Sequence, residues 1–249
     1  MKIAGANLVI TGGASGLGLH MATQFAALGG RIAILDRDQA ALDNLPETLS
    51  DAVLCRCDLT DPAQVERSFR DLSDRMGRLH VLINNAGILF SAPLLSVGPA
   101  GLIPHSVEDW EKVRSVNLDA VFYASRSAAE QMVRTRTKGA IINISSVSAA
   151  GNAGQSAYSA SKAAVEALTV TWAKELGPWG IRVSAVAPGY TDLPSTRVAV
   201  SEHNLQEIAR ESALGRLATP AEIADTVRFL IENDFVTGSI VRVDGGFRI

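Results

Sequence analysis

Cysteine is scarce in this 249-residue chain, with only Cys55 and Cys57 present. They stand two apart in a segment that reads as a strand, where side chains at i and i+2 share a face without disulfide geometry. Both are therefore expected to be small core residues rather than a redox pair. Histidine is nearly as sparse, and His20, His80, His105 and His203 fall at no metal-ligand spacing, so no catalytic metal is expected. An excess of one charge is also missing: 26 acidic side chains face 23 basic ones, a net charge of −3 with no Lys/Arg-dense stripe. That balance argues against nucleic acid as a partner. No uninterrupted apolar run approaches about 18 residues, and residues 1–10 lack the basic and apolar regions of a signal peptide. The chain is expected to be soluble and cytoplasmic, with no membrane association.

Repeats, low-complexity tracts and Pro/Ser-rich linkers are absent too. At roughly 100 to 200 residues per domain the length could hold two domains, but nothing divides it, and residues 1–249 are read as one. Apolar residues make up 47% of the chain, enough for a sizeable core and too many for disorder. Short β-branched or Leu-rich runs at residues 8–10, 31–35, 52–56, 80–83, 140–144, 181–186 and 239–243 read as strands. Helical patterns fill most of the gaps between them. This rhythm predicts an α/β fold built on a doubly wound parallel sheet of about seven strands with helices on both faces. Right-handed crossovers would place a ligand at the carboxyl ends of the strands. Asp61-Pro62 and Thr219-Pro220 each read as a helix cap followed by proline in the first turn. Residues 90–105, rich in Gly, Pro and Ser, form a long connection, either an active-site border or a neutral insertion.

The first strand runs into Thr11-Gly12-Gly13-Ala14-Ser15-Gly16-Leu17-Gly18. Its glycines permit a tight turn and let backbone approach a pyrophosphate at the following helix N-terminus. Gly12, Ser15, Gly16, Leu17 and Gly18 are the expected contacts. The second strand ends at Asp36, 18 residues beyond Gly18, where a carboxylate accepts hydrogen bonds from the adenosine ribose. The same charge repels a 2′-phosphate, which favours NAD over NADP. Arg37 is the counterweight, because its guanidinium could reach such a phosphate.

Several further features accompany that turn: Asp58 after the third strand, Asn84-Asn85-Ala86-Gly87 after the fourth, Asn117, Ser146, and Tyr158 with Lys162 four residues later. Together they resemble the short-chain dehydrogenase/reductase family over essentially the whole chain. The resemblance implies a Rossmann-type fold and an NAD(P)-dependent oxidoreductase moving hydride between nicotinamide and a secondary alcohol or ketone. It implies catalytic roles for Asn117, Ser146, Tyr158 and Lys162, with Lys162 also on the nicotinamide ribose. It places Asp58 and Leu59 at the adenine. Asn84, Ala86 and Gly87 would wall the adenosine side through backbone contacts, Asn85 would also bind the cofactor, and Pro188, Gly189 and Thr191 would lie beside the carboxamide. Thr191 stands in for a threonine that the family often has where this chain has Leu193.

The serine has two candidates. The usual spacing of thirteen to the tyrosine fits Ser145, and Ser146 is twelve away. Ser146 is chosen as the second serine of the strand end, and the two should point to opposite faces of the sheet. Tyr158 and Lys162, at i and i+4 of a helix, share a face. An ammonium about 5 Å away at an effective dielectric of about 20 would favour phenolate by roughly 3 kcal/mol, about two pKa units.

Residues 190–214 correspond to the family's variable substrate lid and contain Leu193, Pro194, Val198, Val200, Leu205 and Ile208. The same side chains would also suit the packing face of a short helix. The long loop before Asp109-Trp110 and the tail at residues 231–246 resemble the type-2 3-hydroxyacyl-CoA dehydrogenases, making a 3-hydroxyacyl thioester the candidate substrate. A 3-oxoacyl-thioester or broad carbonyl reductase is the alternative, and a non-catalytic dinucleotide-binding regulator is the alternative of another class. Apolar residues around the whole circumference of residues 157–176 suggest burial against a partner subunit, in line with the homotetramer the family implies.

Overall fold

The computed structural model describes residues 1–99, 101–199 and 201–247. Its strands are β1 (Asn7–Thr11), β2 (Arg31–Asp36), β3 (Val53–Arg56), β4 (Val81–Asn84), β5 (Leu95–Gly98), β6 (Gly101–Pro104), β7 (Ala140–Ile144), β8 (Arg182–Pro188) and β9 (Ile240–Val243). Seven of them form one parallel sheet in the order β3-β2-β1-β4-β7-β8-β9. These are the seven expected strands, displaced by a residue or two at their ends. The order reverses beside β1, so the crevice between the carboxyl ends of β1 and β4 is the switch point at which such sheets bind ligands.

The helices are α1 (Gly16–Ala27), α2 (Gln39–Asp43), α3 (Pro62–Met76), α4 (Val107–Arg114), α5 (Ala120–Arg134), α6 (Ser156–Leu176), α7 (Pro194–Ala199), α8 (Glu202–Glu211) and α9 (Pro220–Glu232). Strand alternation sorts them into two layers. Leu8, Ile10, Ile34 and Ile142 face Met21 and Phe25 of α1 and Ile223 and Val227 of α9. Val9, Leu35, Leu82 and Ile141 face Phe69 of α3, Ala128 and Met132 of α5, and Ala173 of α6. Each fully buried Leu, Ile, Val or Phe contributes about 1.5–3 kcal/mol, so a one-residue slip of a strand would exchange both faces and is strongly disfavoured.

Both expected caps form. The Asp61 carboxylate accepts from the Gln64 side-chain amide and from the backbone N–H groups of Gln64 and Ala63, and those bonds hold it below the usual carboxylate range. Thr219 and Glu222 make a reciprocal capping box. Cys57 is buried and Cys55 half-buried, both as free thiols.

Residues 90–105, expected as an irregular connection, instead contain the antiparallel hairpin β5–β6. Its strands are only four residues long and its turn is marked by Gly98 and Gly101, so the Gly/Pro content masked the alternation. The hairpin leaves Leu95, Val97 and Leu102 exposed, and Ala92 just before it bridges to Gln155 ahead of α6.

Candidate active site

The turn after β1 is shaped by close approach. A Cβ on Gly12 would lie 2.9 Å from the Ala86 Cα, and one on Gly18 would lie 2.1 Å from the Gly12 carbonyl oxygen. Gly18 thus packs the helix against the turn and is not among the residues that line the cleft. Gly16 has φ of +53° and its Cβ direction is open, a conformation suited to glycine. Helix α1 starts at Ser15 with no side-chain cap and no acidic residue in its first turn. The N–H groups and positive dipole end are therefore available to an anion.

The neighbouring strand end is locked to this turn by a residue the sequence reading passed over. The buried Thr11 hydroxyl accepts from the N–H groups of Asn85 at 3.0 Å and Ala86 at 3.1 Å. Asn85 returns its side-chain amide to the carbonyls of Thr11 and Gly12. The Asn84 side chain is buried on the opposite side, where its amide donates to Ser125 and Asn143, because alternate residues of β4 face opposite ways.

A cleft of about 430 Å³ runs over the turn and is lined by Gly12, Ser15, Gly16, Leu17, Asp36, Arg37, Asp58, Leu59, Asn85, Ala86 and Gly87, with Cys57 beside them. The Asp36 carboxylate is fixed at its rim, one oxygen accepting from Ala14 N–H at 3.1 Å and the other from Asp38 N–H at 3.1 Å. Asp58 is held by Thr60, whose N–H and hydroxyl both donate to it.

Leu17, Asn85, Gly87 and Ile88 also line a second cleft of about 510 Å³, so the two are continuous. Ser145, Ser146, Tyr158, Lys162, Pro188, Gly189 and Thr191 all border this second space, with Gln155, Tyr190, Leu193 and Thr196. The last-named threonine, in the first turn of α7, was not anticipated. Thr191 is buried with its hydroxyl 3.5 Å from the Gly189 carbonyl.

The two serines diverge as alternation requires. Ser145 is buried, and its hydroxyl donates to Glu166 of α6 at 2.8 Å. The Ser146 oxygen accepts from Ser148 N–H at 3.2 Å, and Ser146 borders the same cleft as Tyr158. Asn117 lies outside both clefts, in a π-helical turn spanning Ser115–Asp119 between α4 and α5. Its side chain clamps the backbone of Ile88, accepting from the N–H at 2.8 Å and donating to the carbonyl at 2.9 Å.

The electrostatics differ from expectation. Burial pushes the Tyr158 phenol above its ordinary value, the Ser146 hydroxyl opposes that rise, and the neighbouring Tyr190 phenol adds to it. Lys162 exerts no resolved pull on the phenol, so the expected lowering is not found. Complete burial instead brings the Lys162 ammonium down to about 8. Its Nζ donates to the Ile144 carbonyl at 2.8 Å and stands 5.7 Å from the centre of the Tyr158 ring.

Together, the uncapped helix end, the glycine cradle and the fixed Asp36 fit a dinucleotide, and the second cleft presents a phenol, a hydroxyl and a buried amine to whatever lies beside it. Fold and site define an NAD(P)-dependent oxidoreductase. A family model described as enoyl-(acyl carrier protein) reductase matches residues 12–248. The chain belongs to the short-chain dehydrogenase/reductase family. It is 38% identical over 264 residues to the 3-oxoacyl-(acyl-carrier-protein) reductase of Thermotoga maritima, covering 100% of both chains. It is 33% identical to human 3-hydroxyacyl-CoA dehydrogenase type-2, over 100% of this chain and 97% of that one. A short-chain type dehydrogenase/reductase from Mycobacterium marinum superposes with a TM-score of 0.88 at 29% identity, covering 99% of this chain and 96% of the other. Relatives with different substrates thus stand at similar distances, and none dominates.

Among the described residues, no group of three or more His, Cys, Asp or Glu side chains is placed to hold a metal ion, and no helix is long and apolar enough to cross a membrane.

Proposed function

We propose that the protein catalyses NAD-linked oxidation of a secondary alcohol, with a 3-hydroxyacyl thioester as the candidate substrate and the reverse reduction of a 3-oxoacyl thioester as the alternative direction. The observation that carries this reading is the meeting of Tyr158, Ser146 and Lys162 in a cleft continuous with the glycine turn. Nicotinamide, when bound, supplies the acceptor or donor of hydride. Tyr158 takes the hydroxyl proton as the substrate carbon gives up hydride, and returns it in reduction. Ser146, whose oxygen already accepts from Ser148 N–H, keeps its own hydrogen for the substrate oxygen. Lys162 holds the nicotinamide ribose, and Asn117 fixes the Ile88 backbone that borders both clefts.

Gly12, Ser15, Gly16 and Leu17 hold the pyrophosphate, Asp36 the adenosine ribose, and Asp58, Leu59, Asn85, Ala86 and Gly87 the adenine side. Pro188, Gly189 and Thr191 hold the carboxamide. Asp36 selects NAD, and Asp36→Ala should shift the kcat/KM ratio toward NADP. An unchanged ratio would assign selectivity to Arg37 or another group.

A thioester substrate suits the cleft because its substrate side is bordered by Leu89, Val147 and Leu193, and among the described residues Lys162 is the only charged side chain in the lining. Residues 190–214 act as the lid. Val200 lies outside the described residues, and Leu205 is buried within α8, so the packing reading applies to it. The outer face of α6, with Ala160, Ala163 and Ala167 exposed and Phe122 packed against Trp172, is assigned to a partner subunit in a homotetramer, which light scattering would test.

Absorbance of reduced nicotinamide, followed with 3-hydroxybutyryl-CoA, simple secondary alcohols and steroids and with both nucleotides, tests the substrate class. Tyr158→Phe should keep nucleotide affinity and lose turnover by several orders of magnitude. Turnover close to wild type would remove Tyr158 from the reaction.

A further inference from the structure

Tyr190 belongs to none of the motifs that point to the reaction, yet its side chain borders the same cleft as Tyr158 and Ser146. Its ring is met edge-on by Phe247, with centroids 5.4 Å apart and planes at 69°. Phe247 itself does not line the cleft.

The turn carrying Phe247, residues 243–247, is tied to both ends of the segment proposed as the lid. At the first end, Gly189 N–H donates to the Val243 carbonyl at 2.9 Å, and a Cβ on Gly189 would lie 2.9 Å from the Asp244 Cα. At the second end, the Ser212 hydroxyl and the Leu214 N–H both donate to the Gly245 carbonyl, at 3.0 and 3.1 Å. A Cβ on Gly246 would come within 2.8 Å of the Ala213 Cβ. The two ends are also joined to each other, since Ala218 N–H donates to the Tyr190 carbonyl and Asp192 N–H to the Ala218 carbonyl. The base of the lid is therefore rigid. The Tyr190 side chain projects from that base, with Phe247 braced against its ring.

We infer that Phe247 is a positioning residue for substrate: by fixing the Tyr190 ring at the wall of the cleft it sets how the substrate fits, while contacting neither substrate nor nucleotide. This rests on the cleft being the substrate site proposed above. Phe247 is half-buried rather than a core residue.

The test compares Phe247→Ala, Phe247→Tyr, Tyr190→Ala and the double alanine variant, with the alcohol from the panel above that is turned over as probe. Phe247→Ala should raise KM for that alcohol between about two- and tenfold, the worth of one aromatic pair, with kcat and the nucleotide dissociation constant little changed. Phe247→Tyr should restore wild-type KM, and the double variant should be no worse than Tyr190→Ala alone. Additive effects, or a change in nucleotide affinity instead, would overturn the inference. If Phe247→Ala does not fold, Phe247→Leu keeps bulk without the ring and is read the same way.

A second readout needs no substrate. The chain has three tyrosines, so 3-fluorotyrosine labelling gives three fluorine resonances, assigned by Tyr→Phe changes. Phe247→Ala should move the Tyr190 resonance and leave that of Tyr123 in place. A Tyr190 resonance that does not move defeats the inference whatever the substrate proves to be. Inert thioesters beside an active alcohol defeat only the substrate proposal.

Discussion

The two adjacent serines should separate stability from catalysis when each is replaced by alanine. Ser145 donates to Glu166 at 2.8 Å from a buried position, whereas Ser146 faces the Tyr158 phenol. A hydrogen bond to a charged group contributes about 1.5–3 kcal/mol, but Glu166 is only half-buried and water can replace the lost donor, which brings Ser145→Ala to about 1 kcal/mol. In a chain of this size that lowers the melting temperature by roughly 2–4 °C, with turnover nearly unchanged. Ser146→Ala removes a hydroxyl aimed at the reacting oxygen, a loss of roughly 10²–10³ in kcat by analogy with single oxyanion donors. Its effect on melting should be small, because the bond it forfeits, from Ser148 N–H, is a long one at 3.2 Å. Thermal melts and nicotinamide absorbance on the same preparations give the comparison. If Ser145→Ala were the inactive variant and Ser146→Ala the active one, the divergence of the two side chains would carry no functional meaning.

Gly18→Ala should be costly, since its Cβ would sit 2.1 Å from the Gly12 carbonyl oxygen and 2.5 Å from the Asn85 amide nitrogen. A loss of about 1–3 kcal/mol or more in denaturant melts, together with weaker nucleotide binding, is expected, and a wild-type melt would show that the turn can yield. His80 accepts from Asn7 N–H through Nδ1, and burial, with help from Arg78, lowers its pKa from 6.5. The unfolded chain therefore binds a proton there more readily, so stability should fall as pH drops below 6.5, and His80→Gln should flatten that slope in urea melts followed against pH. Lys162, with a folded pKa of about 8 against an ordinary 10.5, costs the fold stability below pH 8, and that cost should be relieved as pH rises from 8 to 10.5. Lys162→Met should raise stability at neutral pH by on the order of 2 kcal/mol while abolishing turnover, and a destabilised variant would place the amine in a more favourable setting than its burial implies.

Most of the sheet was legible because each strand carries its own signal. Residues 8–10 or 140–144 cannot be solvated loops, and their alternation decides which helix layer each side chain meets. The hairpin β5–β6 was not legible, as four-residue strands with glycine ends resemble a loop. At the site, the glycine turn, Asp36, Tyr158 and Lys162 could be read because their spacing along one strand or helix fixes their geometry. Thr11, Tyr190 and Phe247 could not be read, since what matters about each is a contact with a distant segment: Thr11 with Asn85, and Tyr190 with Phe247. The side-chain direction of Asn84 was not legible for a related reason: in the motif it is adjacent to Asn85, yet in the pleat it faces the other way. The state of Tyr158 was misjudged because pair spacing gives the distance to a charge but not the burial of both partners.

That misjudgement points to how the site is built. At the amino ends of the strands, polar groups are satisfied: His80 is bonded to Asn7, whose amide in turn donates to the carbonyls of Met76 and Arg78. The carboxyl ends concentrate what a stable fold avoids: an uncapped helix start, backbone packed too closely for any Cβ, a π-helical turn around Asn117, and an ammonium buried with one carbonyl as its partner. Of these, the helix start leaves backbone donors open and Lys162 leaves a charge with a single carbonyl partner, both toward one continuous cleft. An anionic ligand at the helix start and hydroxyl acceptors at Lys162 would satisfy them together. Ligand binding and recovery of stability should therefore be one process, so that nucleotide raises the melting temperature most at the pH where Lys162 carries its charge.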